Sequence, residues 1–244
     1  MESAGHETGT HSLYHETVGD SLFEIPGTYP LLPEEVQPRI KLATDILEDI
    51  VGHKVVSWRC PRLFGGTHVT NALEALGYEC DATYPMYFYN EQLFPYHPSQ
   101  ENWTEQGSLN LIEIIQFADM GMESKDDYGR DKDQWPLYRT QSTEAFIPHI
   151  ESFMSYLEKN DQSQKPIVLC FYFHPWEFWE MPEGVIHFGE GGVLPDPFLT
   201  KGCGKYCLNQ VELLIDWLKS KEASFLTAGQ CARKWHEILA LQEI

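Results

Sequence analysis

The chain has 244 residues, of which 42% are hydrophobic and 13% aromatic, so it is long and apolar enough to bury the core of one enzyme-sized domain. Its 37 acidic residues against 17 basic ones give a formal charge of -20, and a field of that sign disfavours nucleic acid as a partner. The absence of a long apolar run, of a signal-peptide pattern and of paired C-x-x-C spacing predicts a cytoplasmic protein with reduced cysteines.

Apolar periodicity predicts alternating helices and short strands along the chain. Residues three and four apart from Glu34 to Gly52 share one apolar face, and the closing glycine is a helix stop. The β-branched run from Lys54 to Trp58 predicts a strand. The later elements follow the same two patterns, as helices over Thr67–Leu76, Ser142–Asn160, Leu208–Lys219 and Gly229–Leu239, and as strands over Glu79–Tyr84, Leu109–Phe117, Pro166–Phe173 and Ala223–Leu226.

This alternation predicts an α/β fold of parallel strands with crossover helices, in one domain over residues 1–244. About five or six strands are predicted, fewer than the roughly eight of a closed barrel. Three stretches (Pro85–Ser108, Ala118–Gln141 and Trp176–Tyr206) are longer than ordinary loops, and such loops often build substrate sites. The acidic run from Asp126 to Asp133 is typical of a solvated turn.

Three histidines stand where a metal or catalytic site would need them. His11 and His15 are four residues apart, and on a helical turn that spacing places both imidazoles on one side, within reach of one metal ion. His174 closes an apolar predicted strand, where its imidazole would project from the end of the sheet. The alternatives are an N-terminal turn whose imidazoles cap backbone groups and, for His174, a structural histidine before proline.

The segments around these residues resemble the polysaccharide deacetylases, the nodulation-type N-deacetylases of carbohydrate esterase family four. G-H-E-T-G-T-H-S-L-Y-H, at residues 5–15, is similar to the second family motif, and W-R-C-P, at 58–61, to the third. G-Y-E-C-D-A-T-Y-P, at 77–85, is similar to the segment that follows, and L-C-F-Y-F-H-P, at 169–175, to the fifth motif. A-S-F-L-T-A-G-Q-C-A, at 223–232, resembles the last strand and helix. The family order is kept over nearly the whole chain.

The resemblance implies a deformed (β/α) barrel and a metal-dependent deacetylase. It implies that His11 and His15 bind a divalent metal, Zn²⁺ for preference, together with one carboxylate, and that His174 is the general acid. Arg59 would orient the catalytic aspartate. The family's first motif, a pair of acids that closes the first strand, lies upstream of H-S-x-x-H, and only ten residues precede His11. We therefore expect an N-terminally truncated domain that lacks its first strand or strands.

Asp81 is the next candidate for a catalytic role, because an unpaired carboxylate inside an apolar strand is costly. Either a histidine or arginine partner or a purely structural hydrogen bond would satisfy it. For Arg59, the alternative is a salt bridge on the barrel rim.

The aromatic residues around His174 are candidates for stacking on a sugar ring, and we take Tyr172, Trp176 and Trp179 as substrate-binding residues. Packing of the long loop onto the fold is the alternative for these rings. Glu177 and Glu180 are predicted to be solvated charges at the rim.

Three functions are compatible with these features. The first is N-deacetylation of an N-acetylated amino sugar or polysaccharide, and the second is hydrolysis of small cyclic amides or ureides. The third is a non-catalytic carbohydrate-binding relative, which would bind sugar without turnover. Because an incomplete barrel exposes strand edges, we also expect the chain alone either to be marginally stable or to self-associate into a homo-oligomer.

Overall fold

The structure is a computed structural model that describes residues 2–161, 163, 165–182, 184–189 and 191–241. Its contacts divide the chain into two compact units. The first unit comprises Met1–Phe117, Ser163–Cys170 and Phe225–Ile244, and the second comprises Ala118–Gln162 and Phe171–Ser224. The prediction of a single domain is not tested by this division and stays a prediction.

The first unit is built on a short parallel sheet. Strand β1 (Ser57–Trp58) pairs with β2 (Cys80–Asp81), and β2 pairs with β3 (Ile112–Glu113), both in parallel. Helix α1 (Pro33–Val51) precedes β1, and helix α2 (Thr67–Leu76) connects β1 to β2. Helix α2 is the crossover that the parallel pairing of β1 with β2 requires, so the predicted α/β class is confirmed.

Local sequence signals explain where these two helices end. Gly52 and Gly77 follow α1 and α2 with φ of 79° and 75°, a left-handed conformation that glycine adopts without a steric cost. The apolar faces of the helices pack against the sheet around Trp58, in a core that includes Val36 and Leu73. Helix α8 (Ala228–Ala240) contributes Trp235 to a second cluster on β2 and β3.

The second unit is mainly helical. Helix α5 (Thr143–Asn160) begins at Ser142, whose hydroxyl accepts a hydrogen bond from the backbone of Ala145. Its buried residues include Phe146, Ile150, Phe153 and Leu157, at the spacing of one helical face. The unit's other elements are α4 (Leu137–Thr140), α6 (Pro197–Thr200), α7 (Lys205–Ser220) and an antiparallel hairpin of β4 (Ile186–Phe188) with β5 (Gly191–Val193).

Three predictions about strands and loops are wrong. The parallel sheet of the described residues has three strands instead of the five or six predicted, and these residues form no closed barrel. The runs Pro166–Phe173 and Ala223–Leu226 are not strands, because neither forms a ladder of backbone hydrogen bonds with a neighbour. The long stretch Pro85–Ser108 is also not wholly irregular, since it begins with helix α3 (Met86–Tyr89).

Candidate active site

The histidine pair comes directly after Thr10, which extends the parallel sheet by one residue next to β1. Thr10 forms an isolated parallel bridge with Trp58, in which its amide donates to the Ser57 carbonyl at 3.0 Å. The chain then bends, and Ser12 and His15 take left-handed φ values of 61° and 58°. The predicted helical turn is therefore absent, yet the bend brings the imidazoles of His11 and His15 to 5.1 Å between ring centroids.

One hydrogen bond fixes the chemistry of the His11 ring. Its Nδ1 lies 2.8 Å from the backbone carbonyl oxygen of Arg59. Since a carbonyl oxygen only accepts, Nδ1 carries the hydrogen and Nε2 carries the lone pair that a metal ligand needs. Both histidines are exposed to solvent.

The imidazoles of His11 and His15 could therefore provide two of the ligands of a zinc site. Among the residues that the structure describes, no group of three or more His, Cys, Asp and Glu side chains is placed to hold a metal ion. The carboxylate that the resemblance implies as third ligand has no counterpart in this set.

Arg59 follows β1, and its guanidinium is held inside the first unit. Its Nε donates to the Ala82 carbonyl at 2.8 Å, and its Nη2 contacts the Cys170 sulfur at 3.3 Å. The amide of Gln116 contacts the same sulfur at 3.2 Å. Arg59 thus links β1 to the end of β2.

Asp81 forms a buried acidic pair with Glu113, a residue that the sequence motifs do not single out. The register of β2 and β3 places the two opposite each other, and both are fully buried. One oxygen of Glu113 accepts from the amides of Thr83 and Tyr84 at 3.2 and 2.8 Å, and one oxygen of Asp81 accepts from the Thr83 hydroxyl. The remaining oxygens, Oδ2 of Asp81 and Oε2 of Glu113, have no partner outside the pair among the described residues.

Two buried carboxyl groups in contact hold a proton between them. Burial raises the pKa of Asp81 to about 7, against the hydrogen bond from Thr83 and the charge of Arg59. Burial also raises the pKa of Glu113 well above its ordinary value, and the neighbouring Asp81 charge adds to this. Glu113 therefore remains protonated and donates to Asp81. The signal for this partner was present in the sequence, because Glu113 is a lone carboxylate in an apolar strand.

The second unit contains His174 in an aromatic setting. Its ring stacks on Trp176 at 5.4 Å and 23°, and it meets the edge of Tyr172 at 6.0 Å and 83°. The Tyr172 hydroxyl donates to Asp133 at 2.6 Å. Burial raises the pKa of Asp133 to about 6, although the Tyr172 hydrogen bond opposes the shift. Asp133 therefore does not fit the solvated turn predicted for the acidic run.

Glu177 is a second functional candidate, and its predicted place as a solvated rim charge is wrong. It is 1% exposed, and it bonds to Nδ1 of His174 at 3.0 Å and to Nε of Arg139 at 3.0 Å. Glu180, predicted with it as a rim charge, is exposed, as is Trp179 at 75%.

The site residues thus form two groups. His11, His15, Arg59 and Asp81 lie in the first unit, and Tyr172, His174, Trp176 and Trp179 lie in the second. Their predicted roles remain predictions.

The comparison with known proteins agrees with the motif resemblance. Residues 1–80, about a third of the chain, match the family model described as "Polysaccharide deacetylase", so the predicted resemblance to this family is confirmed over that segment. No curated protein matches the chain. In the part of the chain that the structure describes, every helix is too short or too polar to cross a membrane.

Two solved structures share the fold. One is described as "probable Polysaccharide deacetylase from Pseudomonas aeruginosa PAO1", with 16% identity and a TM-score of 0.55 over 97% of this chain and 61% of that one. The other is PuuE allantoinase, with 15% identity and a TM-score of 0.54 over 97% and 61% of the two chains. This chain therefore spans 61% of the length of each, and at these identities the likeness establishes the fold alone.

Proposed function

We propose that this chain carries a metal-dependent hydrolase activity on amide C–N bonds, and that its reaction is the N-deacetylation of an N-acetylated amino sugar or polysaccharide. The observation that carries the proposal is the paired imidazoles of His11 and His15, with Nδ1 of His11 bonded to a backbone carbonyl. That arrangement is typical of metal-ligating histidine. The family match over residues 1–80 includes both histidines.

Zinc is the metal that this donor set favours, because two neutral imidazoles with an open position suit Zn²⁺. When bound, the metal would supply polarisation of the amide carbonyl and a water of lowered pKa. The chain's own residues have other roles in this proposal. His174 donates a proton to the departing amine, and Arg59 holds the end of β2 through the Ala82 carbonyl.

The aromatic rings near His174 are proposed to bind the sugar. Trp176 stacks on His174 and Trp179 is largely exposed, so the exposed indole offers an apolar face to a sugar ring. A carbohydrate is the substrate class that the family implies.

Metal content tests the core of the proposal. The purified chain should retain about one zinc per chain after mild dialysis, measured by elemental analysis. Replacing His11 or His15 by alanine should abolish retention, because each removes one of the two imidazole ligands. His187→Ala is the matched control, since His187 is exposed in the β4–β5 hairpin and should leave zinc content unchanged. Equal zinc in all four proteins would refute the assigned ligands.

The second candidate function is hydrolysis of a small cyclic amide or ureide, which the shared fold with PuuE allantoinase favours. Both substrates present an amide-type carbonyl to the same centre. Acetate release from N-acetylglucosamine oligomers, without hydrolysis of allantoin, would support the deacetylase. The reverse result would support the ureide hydrolase, and sugar binding with neither reaction would indicate the non-catalytic relative.

A further inference from the structure

Glu177 occupies an unusual position relative to His174. His174 precedes the short 3-10 helix Pro175–Phe178, and this turn folds the glutamate back onto the histidine. One carboxylate oxygen, Oε1, accepts from the backbone amide of His174 at 2.9 Å and lies 3.0 Å from its ring Nδ1. The carboxylate is 1% exposed, whereas half of the His174 side chain is exposed.

The other carboxylate oxygen of Glu177 is bound from the opposite side. Its Oε2 accepts from the Tyr138 hydroxyl and from Nε of Arg139, both at 3.0 Å. Arg139 is itself 3% exposed, and its two Nη atoms donate to the carbonyls of Phe198, Leu199 and Lys201. The glutamate is therefore clamped by a buried cation that the backbone holds in place.

This environment keeps Glu177 ionised. Burial opposes ionisation, but the hydrogen bonds from His174 and Tyr138 and the charge of Arg139 together hold the pKa of Glu177 below its ordinary value. An ionised carboxylate can only accept hydrogen bonds. Nδ1 of His174 must therefore carry a hydrogen, and the exchangeable position of the ring is Nε2.

We propose that Glu177 is a positioning residue for His174. Its carboxylate fixes the Nδ1–H tautomer of the His174 ring, so that Nε2 is the atom that transfers the proton. The proposal rests on the proposed function, in which His174 protonates the leaving amine. Before that step Nε2 takes a proton from solvent, so the ring is an imidazolium. The C–N bond of the tetrahedral adduct then breaks as the carbonyl re-forms, its electron pair stays on nitrogen, and the proton passes from Nε2 to that nitrogen. The ring then returns to the neutral Nδ1–H form with its bond to Glu177 intact.

Ring packing supports the same role. Trp176 stacks on one face of the imidazole, and the Arg139 guanidinium lies 5.5 Å over the Trp176 ring. Tyr172 meets the imidazole at its edge. These contacts restrict rotation of His174, so the hydrogen bond to Glu177 and the aromatic packing select one orientation.

The tautomer can be measured directly in the full chain. Long-range proton–nitrogen correlation spectra of the ¹⁵N-histidine-labelled protein, at a pH where the ring is neutral, distinguish Nδ1–H from Nε2–H imidazoles. His174→Gln assigns the signal by its loss. We expect the wild-type ring to be predominantly Nδ1–H. A predominantly Nε2–H ring would overturn the proposal without need of any variant.

Glu177→Gln should change the tautomer. An amide has a single oxygen, which cannot accept both from Arg139 and from His174, and the cation takes precedence. The amide nitrogen then faces His174 and donates to Nδ1, so the ring should shift towards Nε2–H. Glu180→Gln, three residues later on an exposed side chain, is the matched control and should leave the tautomer unchanged. A folded Glu177→Gln protein with the wild-type tautomer would refute the positioning role.

Activity measurements separate this inference from the proposed function. If the wild type releases acetate, Glu177→Gln should lower kcat within the roughly 10²- to 10⁴-fold that general acid–base catalysis contributes, with little change in KM. An unchanged kcat despite a changed tautomer would refute the inference alone. An Nδ1–H ring in a protein that neither binds zinc nor releases acetate would refute the proposed function and leave the Glu177–His174 arrangement standing.

Discussion

The buried pair of Asp81 and Glu113 makes a sharp prediction about pH. Both carboxyl groups have a raised pKa in the folded chain, so the folded state binds more protons than the unfolded state. The stabilisation is fully present below the ordinary carboxyl pKa and is lost as the pH rises through the folded values. For Asp81 the stabilisation is therefore lost between the ordinary pKa of 3.8 and the folded value of about 7.

The magnitude follows from the same values. A pKa of about 7 in the folded chain against the ordinary 3.8 corresponds to on the order of 4 kcal/mol for Asp81. Glu113→Gln should leave this Asp81 loss in place but remove the part that belongs to Glu113, because the amide resembles the protonated carboxyl and takes up no proton on folding. Its amide oxygen can keep the hydrogen bonds from Thr83 and Tyr84, and its amide nitrogen can donate to an ionised Asp81.

We therefore expect Glu113→Gln to match the wild type within about 1 kcal/mol near pH 5, and to exceed it at higher pH by about 1.4 kcal/mol for each pH unit over which Glu113 stays protonated in the folded chain. Urea unfolding of both proteins across this range measures the difference. Because the chain's large negative charge weakens both proteins alike at high pH, the difference between them isolates the pair.

Glu113→Ala is the contrasting variant. It leaves two buried backbone amides without an acceptor, at roughly 1 to 3 kcal/mol each, so it should destabilise the fold at every pH. The reasoning would be refuted if Glu113→Gln and the wild type lost stability in parallel between pH 5 and pH 9. A wild-type stability that rises through this range relative to the variant would refute it as well.

Two further predictions concern stability alone. Gly19→Ala would place a Cβ far inside van der Waals contact with the carbonyl oxygens of Phe64 and Gly65. We therefore expect thermal unfolding to show that the free energy of unfolding falls by several kcal/mol, more than the roughly 1 kcal/mol of an ordinary substitution. Thr227→Ala removes the hydroxyl that accepts from the Gln230 amide at 3.2 Å at the start of α8, and urea unfolding should show a loss of about 1 to 2 kcal/mol.

Each of these variants has a control in the chain. A methyl group added at Gly191 would meet open space, so Gly191→Ala should change the unfolding temperature little. Thr227→Ser keeps the capping hydroxyl and should retain most of the stability. Equal losses for Gly19→Ala and Gly191→Ala, or for the two Thr227 variants, would contradict the assigned contacts.

The helices could be predicted from the sequence because their signals are local. The predicted Thr67–Leu76 agrees with α2 at both ends, and Ser142 and Gly52 mark helix ends as their residue types indicate. Strands could be predicted only as apolar runs. The pairing partner decides how much of a run joins a ladder, and for Leu109–Phe117 the strand is reduced to Ile112–Glu113.

The candidate site divides in the same way. His11, His15 and His174 could be selected from motif spacing, but the pairing of Asp81 with Glu113 depends on a register that joins residues far apart in the chain. Glu177 was within reach of sequence reasoning. A glutamate three residues after the residue that begins a turn can reach back to that residue's backbone amide, as in one half of a capping box, and Oε1 of Glu177 accepts from the His174 amide at 2.9 Å.

The Nδ1 atoms of His11 and His174 both have a defined hydrogen-bond acceptor. His11 donates from Nδ1 to the backbone carbonyl of Arg59, and a second bond of this kind orients the ring of a metal-ligating histidine. His174 donates from Nδ1 to the ionised Glu177, which leaves Nε2 as the nitrogen that exchanges a proton. In both residues the acceptor at Nδ1 therefore leaves Nε2 for the proposed chemistry, which is metal ligation at His11 and proton transfer at His174.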